Sequence, residues 1–252
     1  SVALAVAAVP EGLIVTVTIV LAISMQRILK KKALVRRLVA GETLGSVSII
    51  CTDKTGTITE GVMRVSKLVP ASGSVSVEDI HSAPESSKLI SMLEISMLCN
   101  NSSVAEGKGV DKTEVQGSPT EVALMHAGLQ AGLSYRELND TFTRYDEIPF
   151  NSVTKYMASL HDWTDGKRAI FIVGAPEKVM AMASHVYDDG REKRLVSATR
   201  QKLSKTLNEL TEQGLRLLAI GYKQVSKKVD IISSEKLEDF VFFGFVGLED
   251  PL

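Results

Sequence analysis

The chain has 252 residues, of which 44% are hydrophobic, 23% charged and 5% aromatic, with a formal net charge of -1. That composition supplies a real core for one or two domains and argues against disorder, and a near-zero charge gives no general attraction to nucleic acid. Two cysteines, Cys51 and Cys99, are too few for a disulfide framework and suit a reducing cytosol, while His81, His126, His161 and His185 have no partner at metal-ligand spacing.

In chain order, Val2 to Met25 is a nearly continuous apolar run broken by Pro10-Glu11-Gly12. Roughly 20 apolar residues suffice to cross a bilayer. Arg27, Lys30, Lys31, Lys32, Arg36 and Arg37 follow the run instead of preceding it, which disfavours a signal peptide and places the downstream part in the cytoplasm. Residues 1–29 are therefore expected to form a transmembrane helix with a cytoplasmic extension, the chain being a piece of something longer. Residues 30–45 read as a basic, mixed connector. Val47-Ser48-Ile49-Ile50-Cys51-Thr52 favours a short buried strand ending at Asp53, the strand-end position where chemistry gathers in α/β sheets.

A polar stretch rich in Ser and Pro, about residues 70–86, leads into a second unit. Ser86 to Leu98 carries Leu89, Ile90, Leu93 and Met97 on one helical face. Ser118-Pro119-Thr120-Glu121 is a helix start, with Ser as N-cap, Pro at the first helical position and Glu three residues after the cap. Tyr156–Leu160 and Arg168–Val173 predict a hairpin joined through Asp165-Gly166. Ala198 to Gln213 predicts a helix with Leu203, Leu207 and Leu210 inward and Gly214 at its C-terminal end. Leu215–Lys223 and Phe240–Val246 read as further strands. Hairpin-like strands with separate helices predict an α+β module with an antiparallel sheet and flanking helices. No internal repeat or low-complexity tract is visible.

The segment Cys51-Thr52-Asp53-Lys54-Thr55-Gly56-Thr57-Ile58-Thr59 carries the strongest chemical signal. A strand-end carboxylate can attack a phosphoryl group and form an aspartyl phosphate. Hydroxyls and N–H groups of Thr55, Gly56 and Thr57 can hold the phosphoryl oxygens, Gly56 permits close backbone approach, and Lys54 adds positive charge. Taken alone the same residues would also make an ordinary surface turn. The segment resembles the phosphorylation signature of the P-type ATPases. The broader superfamily of aspartate-nucleophile hydrolases commonly has a second Asp two residues on, where this chain has Thr55; without that carboxylate, water attack on the phosphoaspartate lacks a base in place. A persistent intermediate suits a pump.

Val9-Pro10-Glu11-Gly12-Leu13 resembles the broken fourth membrane helix of the type II cation pumps. Pro10 frees backbone carbonyls, and Glu11 adds a carboxylate where charge is expensive, together a set suited to a hard cation. The plain alternative is a helix end with Glu11 in water at the interface. In the second unit the resemblance to the family's nucleotide-binding domain runs through Leu98-Cys99-Asn100-Asn101, Gly117-Ser118-Pro119-Thr120-Glu121, Ile148-Pro149-Phe150-Asn151-Ser152, Gly174-Ala175-Pro176-Glu177 and Gly214-Leu215-Arg216-Leu217. By that resemblance Phe150 stacks on adenine, Glu121 meets the adenine amino group, Lys155 and Gly174 lie near the nucleotide and Arg216 reaches the phosphates. Read from the residues alone, Glu121 is a capping-box residue, Phe150 a core aromatic, Lys155 a solvated charge and Arg216 a salt-bridge residue. Two positions depart from the family pattern. Ser118 stands where Asp is common, and Val173 stands where Lys is usual, which removes a cation close to ATP.

The resemblance implies a nucleotide-binding domain, residues 67–246, inserted into a Rossmann-like (HAD-type) α/β phosphorylation domain whose first part is 30–66, with 247–252 as the return hinge. It implies an integral membrane ATPase with its catalytic part cytoplasmic, moving a cation through an aspartyl phosphate. ATP and Mg2+ are the implied cofactors, with Asp53 and Thr55 near the Mg2+ and Glu11 as a ligand of the transported ion. Ca2+ is the expected ion, Na+/K+ transport the alternative, and the remaining domains of the same pump are the expected partners. A nucleotide-binding regulatory module without transport is the rival from another class, and the chain tested alone is expected to bind nucleotide without turnover. A Gly-x4-Gly-Lys-Ser/Thr loop is absent from the sequence, which excludes an ordinary P-loop ATPase.

Overall fold

The computed structural model describes residues 11–53, 56–71, 75, 76, 79, 81, 86–106, 113–188 and 190–251. Val9 and Pro10 of the expected cation motif, and Lys54 and Thr55 of the phosphorylation motif, lie outside them. The chain divides into two compact units, Ser1–Asp53 and Lys54–Leu252.

In the first unit, α1 (Glu11–Lys30) is a 20-residue helix and α2 (Leu38–Gly45) a short second one. Leu13, Val15, Val17, Ile19, Val20, Ile23 and Leu29 of α1 are exposed, while Leu21, Met25 and Ile28 form a half-buried stripe along one side. Among the described residues, no helix is long and apolar enough to cross a membrane; the expected span of 1–29 takes in residues 1–10, which are not described. The connector expected over 30–45 contains α2. The strand expected over Val47–Thr52 is not formed: residues 47–53 carry no regular structure, with Ile49 and Ile50 exposed. β-branched side chains favour a strand only where a neighbouring strand completes the ladder, and no described strand pairs with this segment.

The second unit is built on one mixed sheet. Its strands are β1 (Arg64–Pro70), β2 (Val75–Ser76), β5 (Arg144–Ile148), β6 (Tyr156–Asp162), β7 (Arg168–Gly174), β8 (Ala183–Asp188), β9 (Arg191–Arg194), β10 (Arg216–Val225) and β11 (Phe240–Glu249). The order is β2-β1-β11-β10-β7-β6-β5, with β8 beside the first residues of β11 and β9 beside β8. A separate ribbon pairs β3 (Ser103–Glu106) with β4 (Thr113–Gln116). The expected all-antiparallel sheet is corrected at one place, because β8 pairs with Phe240–Phe242 in parallel. No hairpin can join parallel neighbours; here the long excursion through β9 and β10 returns the chain in the right direction.

Helices cover both faces. On one side lie α3 (Ser86–Leu98) and α4 (Pro119–Gln130), followed by the short α5 (Tyr135–Thr141); on the other lie α6 (Pro176–Met182) and α7 (Ser197–Glu212). Strand alternation sorts the core accordingly. Phe171 joins Leu93, Met97 and Leu124 in one cluster, while Ile170 and Ile172 join Val179, Leu203 and Leu210 in the other. In β11 that alternation changes phase, with Phe242 and Phe245 in the second cluster and Phe243 and Val246 in the first. A bulge does this: Ile220 pairs with Gly244 and Gly221 with Phe242, leaving Phe243 as the extra residue. Gly244 fits there because a Cβ would stand 2.7 Å from the Met92 methyl and 2.8 Å from the Val69 carbonyl oxygen.

Local signals place several elements where the sequence puts them. The β6–β7 hairpin turns through Asp165 and Gly166, both at positive φ. Helix α4 starts with a complete capping box between Ser118 and Glu121, and Gly214 follows α7 at φ 81°. At the two ends of the unit, the Thr59 hydroxyl donates to one Asp250 carboxylate oxygen, the Gly61 N–H donates to the other at 3.0 Å, and the Glu60 N–H reaches the Pro251 carbonyl at 2.9 Å. The incoming and outgoing segments are thereby clasped side by side.

Candidate functional site

A cavity of about 310 Å3 opens where the N-terminus of α4 faces the neighbouring strands β6, β7 and β10. Helix α4 and its cap bring Ser118, Pro119, Thr120, Glu121 and Leu124, and the sheet brings Met157, Val173, Gly174, Arg216 and Leu218. Phe150, in the loop between β5 and β6, and Cys99, just past α3, complete the wall. Four sequence-selected residues (Glu121, Phe150, Gly174 and Arg216) thus come together, with the atypical Val173 among them. Lys155 stands outside the lining, half-exposed, with its ammonium 3.8 Å from the Glu177 carboxylate.

Phe150 is 58% exposed. The expectation of an ordinary core aromatic therefore fails, and its ring is free to receive a flat partner. Its loop is held by Asn151: the Val153 N–H donates to the Asn151 side-chain oxygen at 2.8 Å, and the Lys155 N–H donates to the Asn151 carbonyl at 2.6 Å. Lys155 sits at φ 60°, a left-handed conformation unusual for a side-chain-bearing residue. The Ala175 N–H holds it by donating to the Lys155 carbonyl at 2.8 Å. Gly174 makes this approach possible, since a Cβ there would stand 2.6 Å from that same carbonyl oxygen and 2.5 Å from the Tyr156 Cβ. Its role is to let β6 and β7 close beneath the loop.

Glu121 performs the capping function expected of it. One carboxylate oxygen accepts from the Ser118 N–H at 3.2 Å and the Ser118 hydroxyl at 2.6 Å, and the other accepts from the Asn101 N–H at 3.3 Å. The carboxylate still lines the cavity, and the oxygen that meets Asn101 keeps a lone pair beyond that bond. At the other end Arg216 is exposed at the first position of β10 and supplies positive charge. Between these poles the surface is apolar. Cys99 is buried, and that burial pushes its thiol up to about 11, so it remains a neutral thiol in the wall.

The sequence reading did not select Leu124, Met157 or Leu218. Each was reachable by periodicity: Leu124 is one turn from Glu121, Leu218 two residues from Arg216 on the same strand face, and Met157 the cross-strand partner of Val173. His161 is not part of the cavity wall. It is fully buried, its Nδ1–H donates to the Phe142 carbonyl at 3.0 Å, and its Nε2 accepts from the Ser159 hydroxyl at 2.9 Å. Burial pushes its imidazole down to about 4, so it stays neutral at physiological pH.

In the first unit Asp53 is exposed, and the Thr52 hydroxyl donates to its backbone carbonyl at 3.2 Å. In the second, Gly56 has φ 73° and donates its N–H to the Thr59 hydroxyl at 3.3 Å, and Thr57 is exposed. Glu11 begins α1, and the Gly12 carbonyl one residue on accepts from the Thr16 hydroxyl at 2.7 Å. Among the described residues, no group of three His, Cys, Asp or Glu side chains could hold a metal ion.

Residues 88–252 match the family described as P-type ATPase, cytoplasmic domain N. The whole chain is 39% identical to a calcium-transporting ATPase of Listeria monocytogenes and 35% identical to calcium-transporting ATPase 1 of Lactococcus lactis, in each case covering 28% of the relative. It is 36% identical to a cation-transporting ATPase of Synechocystis, covering 29% of it. The chain therefore spans somewhat over a quarter of the length of these relatives.

Proposed function

The chain belongs to the P-type ATPase family, and on that premise we propose that it is part of an ATP-driven cation pump working through an aspartyl phosphate at Asp53. The observation that carries the reading is the cavity with an exposed aromatic, a carboxylate and an arginine around an apolar floor. Adenine stacks on Phe150 over Met157 and Leu218, its exocyclic amine donates to Glu121, and the phosphates extend to Arg216, with Lys155 as a second cation nearby. At about 310 Å3 the cavity is at the small end of ordinary ligand sites and suits the base better than the whole nucleotide.

In the transfer step an Asp53 carboxylate oxygen bonds to the γ-phosphorus. The bond from that phosphorus to the β–γ bridging oxygen breaks, and ADP leaves with the electron pair. Lys54 offers positive charge, and Thr55, Gly56 and Thr57 offer donors to the phosphoryl oxygens. One carboxylate together with nucleotide phosphates and waters is a set that Mg2+ accepts, so Asp53, with Thr55 beside it, fits it. When bound, Mg2+ neutralises charge developing on the transferred group. With Thr55 in place of a second carboxylate, no base stands ready for water, and the phosphoaspartate persists.

For the membrane part, the exposed large apolar side chains of α1 need a cover of comparable polarity, and lipid is one. Residues 1–29 are read as the spanning helix with Glu11 as a ligand of the transported ion, 30–66 and 247–252 as parts of a Rossmann-like phosphorylation domain facing the cytoplasm, and 67–246 as the nucleotide domain. The names of the Listeria and Lactococcus relatives favour Ca2+ as the ion over Na+ or K+. A regulatory nucleotide-binding module would need only the second unit.

The full-length protein distinguishes the two. Label from γ-labelled ATP that is stable to acid and sensitive to hydroxylamine is expected in the parent and absent in Asp53→Asn. Undiminished label in that variant would remove Asp53 from the mechanism.

A further inference from the structure

We infer that Arg144, at the start of β5, is a positioning residue for the nucleotide pocket: it fixes the segment 98–101 whose backbone holds the Glu121 carboxylate in place. The inference rests on the reading of the cavity as an adenine site, though its geometry stands apart from that reading.

The Arg144 guanidinium reaches four acceptors, three in the segment 98–101 and one in β5. One terminal nitrogen donates to the Asn101 side-chain oxygen at 2.8 Å and to Glu147 at 2.7 Å. The other donates to the carbonyls of Leu98 and Asn100, the latter at 2.8 Å. Leu98 is the last residue of α3, so its carbonyl has no partner within the helix, and a cation there also meets the negative end of the helix dipole. The planar fork is what allows one side chain to do this. A lysine ammonium is a single point charge and cannot serve both pairs at once.

Asn101 carries the effect to the cavity. Its amide group accepts from Arg144 and donates to Glu147 at 3.2 Å, which closes a ring of three side chains and fixes which way the amide faces. Its backbone N–H then points at Glu121 and donates at 3.3 Å. Asn100 adds a second tie, with its side-chain nitrogen donating to the Glu121 carbonyl at 3.0 Å and its side-chain oxygen accepting from the Ser102 N–H at 2.8 Å. Cys99, between them, is part of the cavity wall. Without Arg144, two carbonyls and the Asn101–Glu147 pair lose their common donor, and the Asn101 N–H is no longer held against the carboxylate.

Amide chemical shifts of the 15N-labelled chain test this without nucleotide. In the parent, Glu121→Gln should move the resonances of both Ser118 and Asn101. In an Arg144→Gln or Arg144→Lys background the same substitution should still move Ser118 and leave Asn101 no more affected than remote amides. A full response of Asn101 in both backgrounds would overturn the proposal. Calorimetric titration with ATP provides the second arm. Arg144→Gln and Arg144→Lys should each weaken binding about tenfold in the parent and hardly at all in a Glu121→Gln background, the coupling expected of residues in one network. Equal losses in both backgrounds would mean that Arg144 acts only on the fold. If the parent itself does not bind ATP, the adenine reading fails, and the amide shifts still decide the role of Arg144.

Discussion

Two aromatic-to-aliphatic extremes separate the two units of the chain. In the Lys54–Leu252 unit Phe171 is 0% exposed, with its ring 4.9 Å from Trp163 and 5.3 Å from His161, whereas in the Ser1–Asp53 unit Ile50 is 84% exposed. Both sit in apolar, β-favouring sequence. The difference is partners: strand β7 has β6 on one side and β10 on the other, with helices over both faces, while the segment 47–53 has no described strand beside it. Side-chain propensity alone does not make a strand; a ladder and a covered face do.

The widest contrast is in stability. Phe171→Ala should cost about 3–5 kcal/mol of the second unit's stability, the usual penalty for emptying a packed aromatic site. Ile50→Ala should change it by less than about 0.5 kcal/mol, because nothing packs on that side chain. Urea unfolding followed by the fluorescence of Trp163, the chain's single tryptophan, reads both. Comparable losses would mean that the segment around Ile50 is packed after all.

His161 sharpens the contrast through pH. Its pKa lies at about 4 in the folded chain against 6.5 ordinarily, so the unfolded chain takes up the proton first. The corresponding stability is fully present above pH 6.5 and is lost as the pH falls toward 4. At about 1.4 kcal/mol per pH unit the loss approaches about 3 kcal/mol. Replacing the imidazole, as in His161→Gln, should flatten stability between those two pH values at the cost of a lower plateau. An unchanged pH slope would show that other groups carry it.

What was legible in the sequence follows the same division. Elements specified by their own residues came through: Ser118-Pro119-Thr120-Glu121 starts α4, Asp165-Gly166 turns the β6–β7 hairpin, and the apolar spacing of Leu89, Leu93 and Met97 marks α3. Elements that depend on distant partners did not. The parallel pairing of β8 with β11, the bulge at Phe243 and the failure of 47–52 to form a strand are all decided by tertiary neighbours. At the site, the motif residues Glu121, Phe150, Gly174 and Arg216 were visible by type and order. Leu124, Met157 and Leu218 look like any core residue until the strand register sets them side by side. Arg144 was missed because two of its four acceptors are backbone carbonyls, which leave no trace in side-chain identity.

The smallest expected effect is at Val173. It is 7% exposed in the wall of the cavity, where a longer cationic side chain would have to extend toward the mouth. Val173→Lys should tighten ATP binding by roughly threefold to tenfold at low salt, and the gain should shrink as screening increases. A gain independent of salt would point to a packing effect instead of charge.

The central claim is that the cavity beneath Phe150 holds the adenine of ATP, and titration of the chain with ATP tests it most directly. Calorimetry on the parent and on Phe150→Ala, with amide shifts recorded alongside, should show binding with shifts centred on Glu121, Met157 and Gly174. Phe150→Ala should weaken it roughly 5- to 150-fold, taking base–aromatic stacking as about 1–3 kcal/mol. A folded Phe150→Ala chain that binds ATP as tightly as the parent, or shifts confined to residues away from the cavity, would contradict the account.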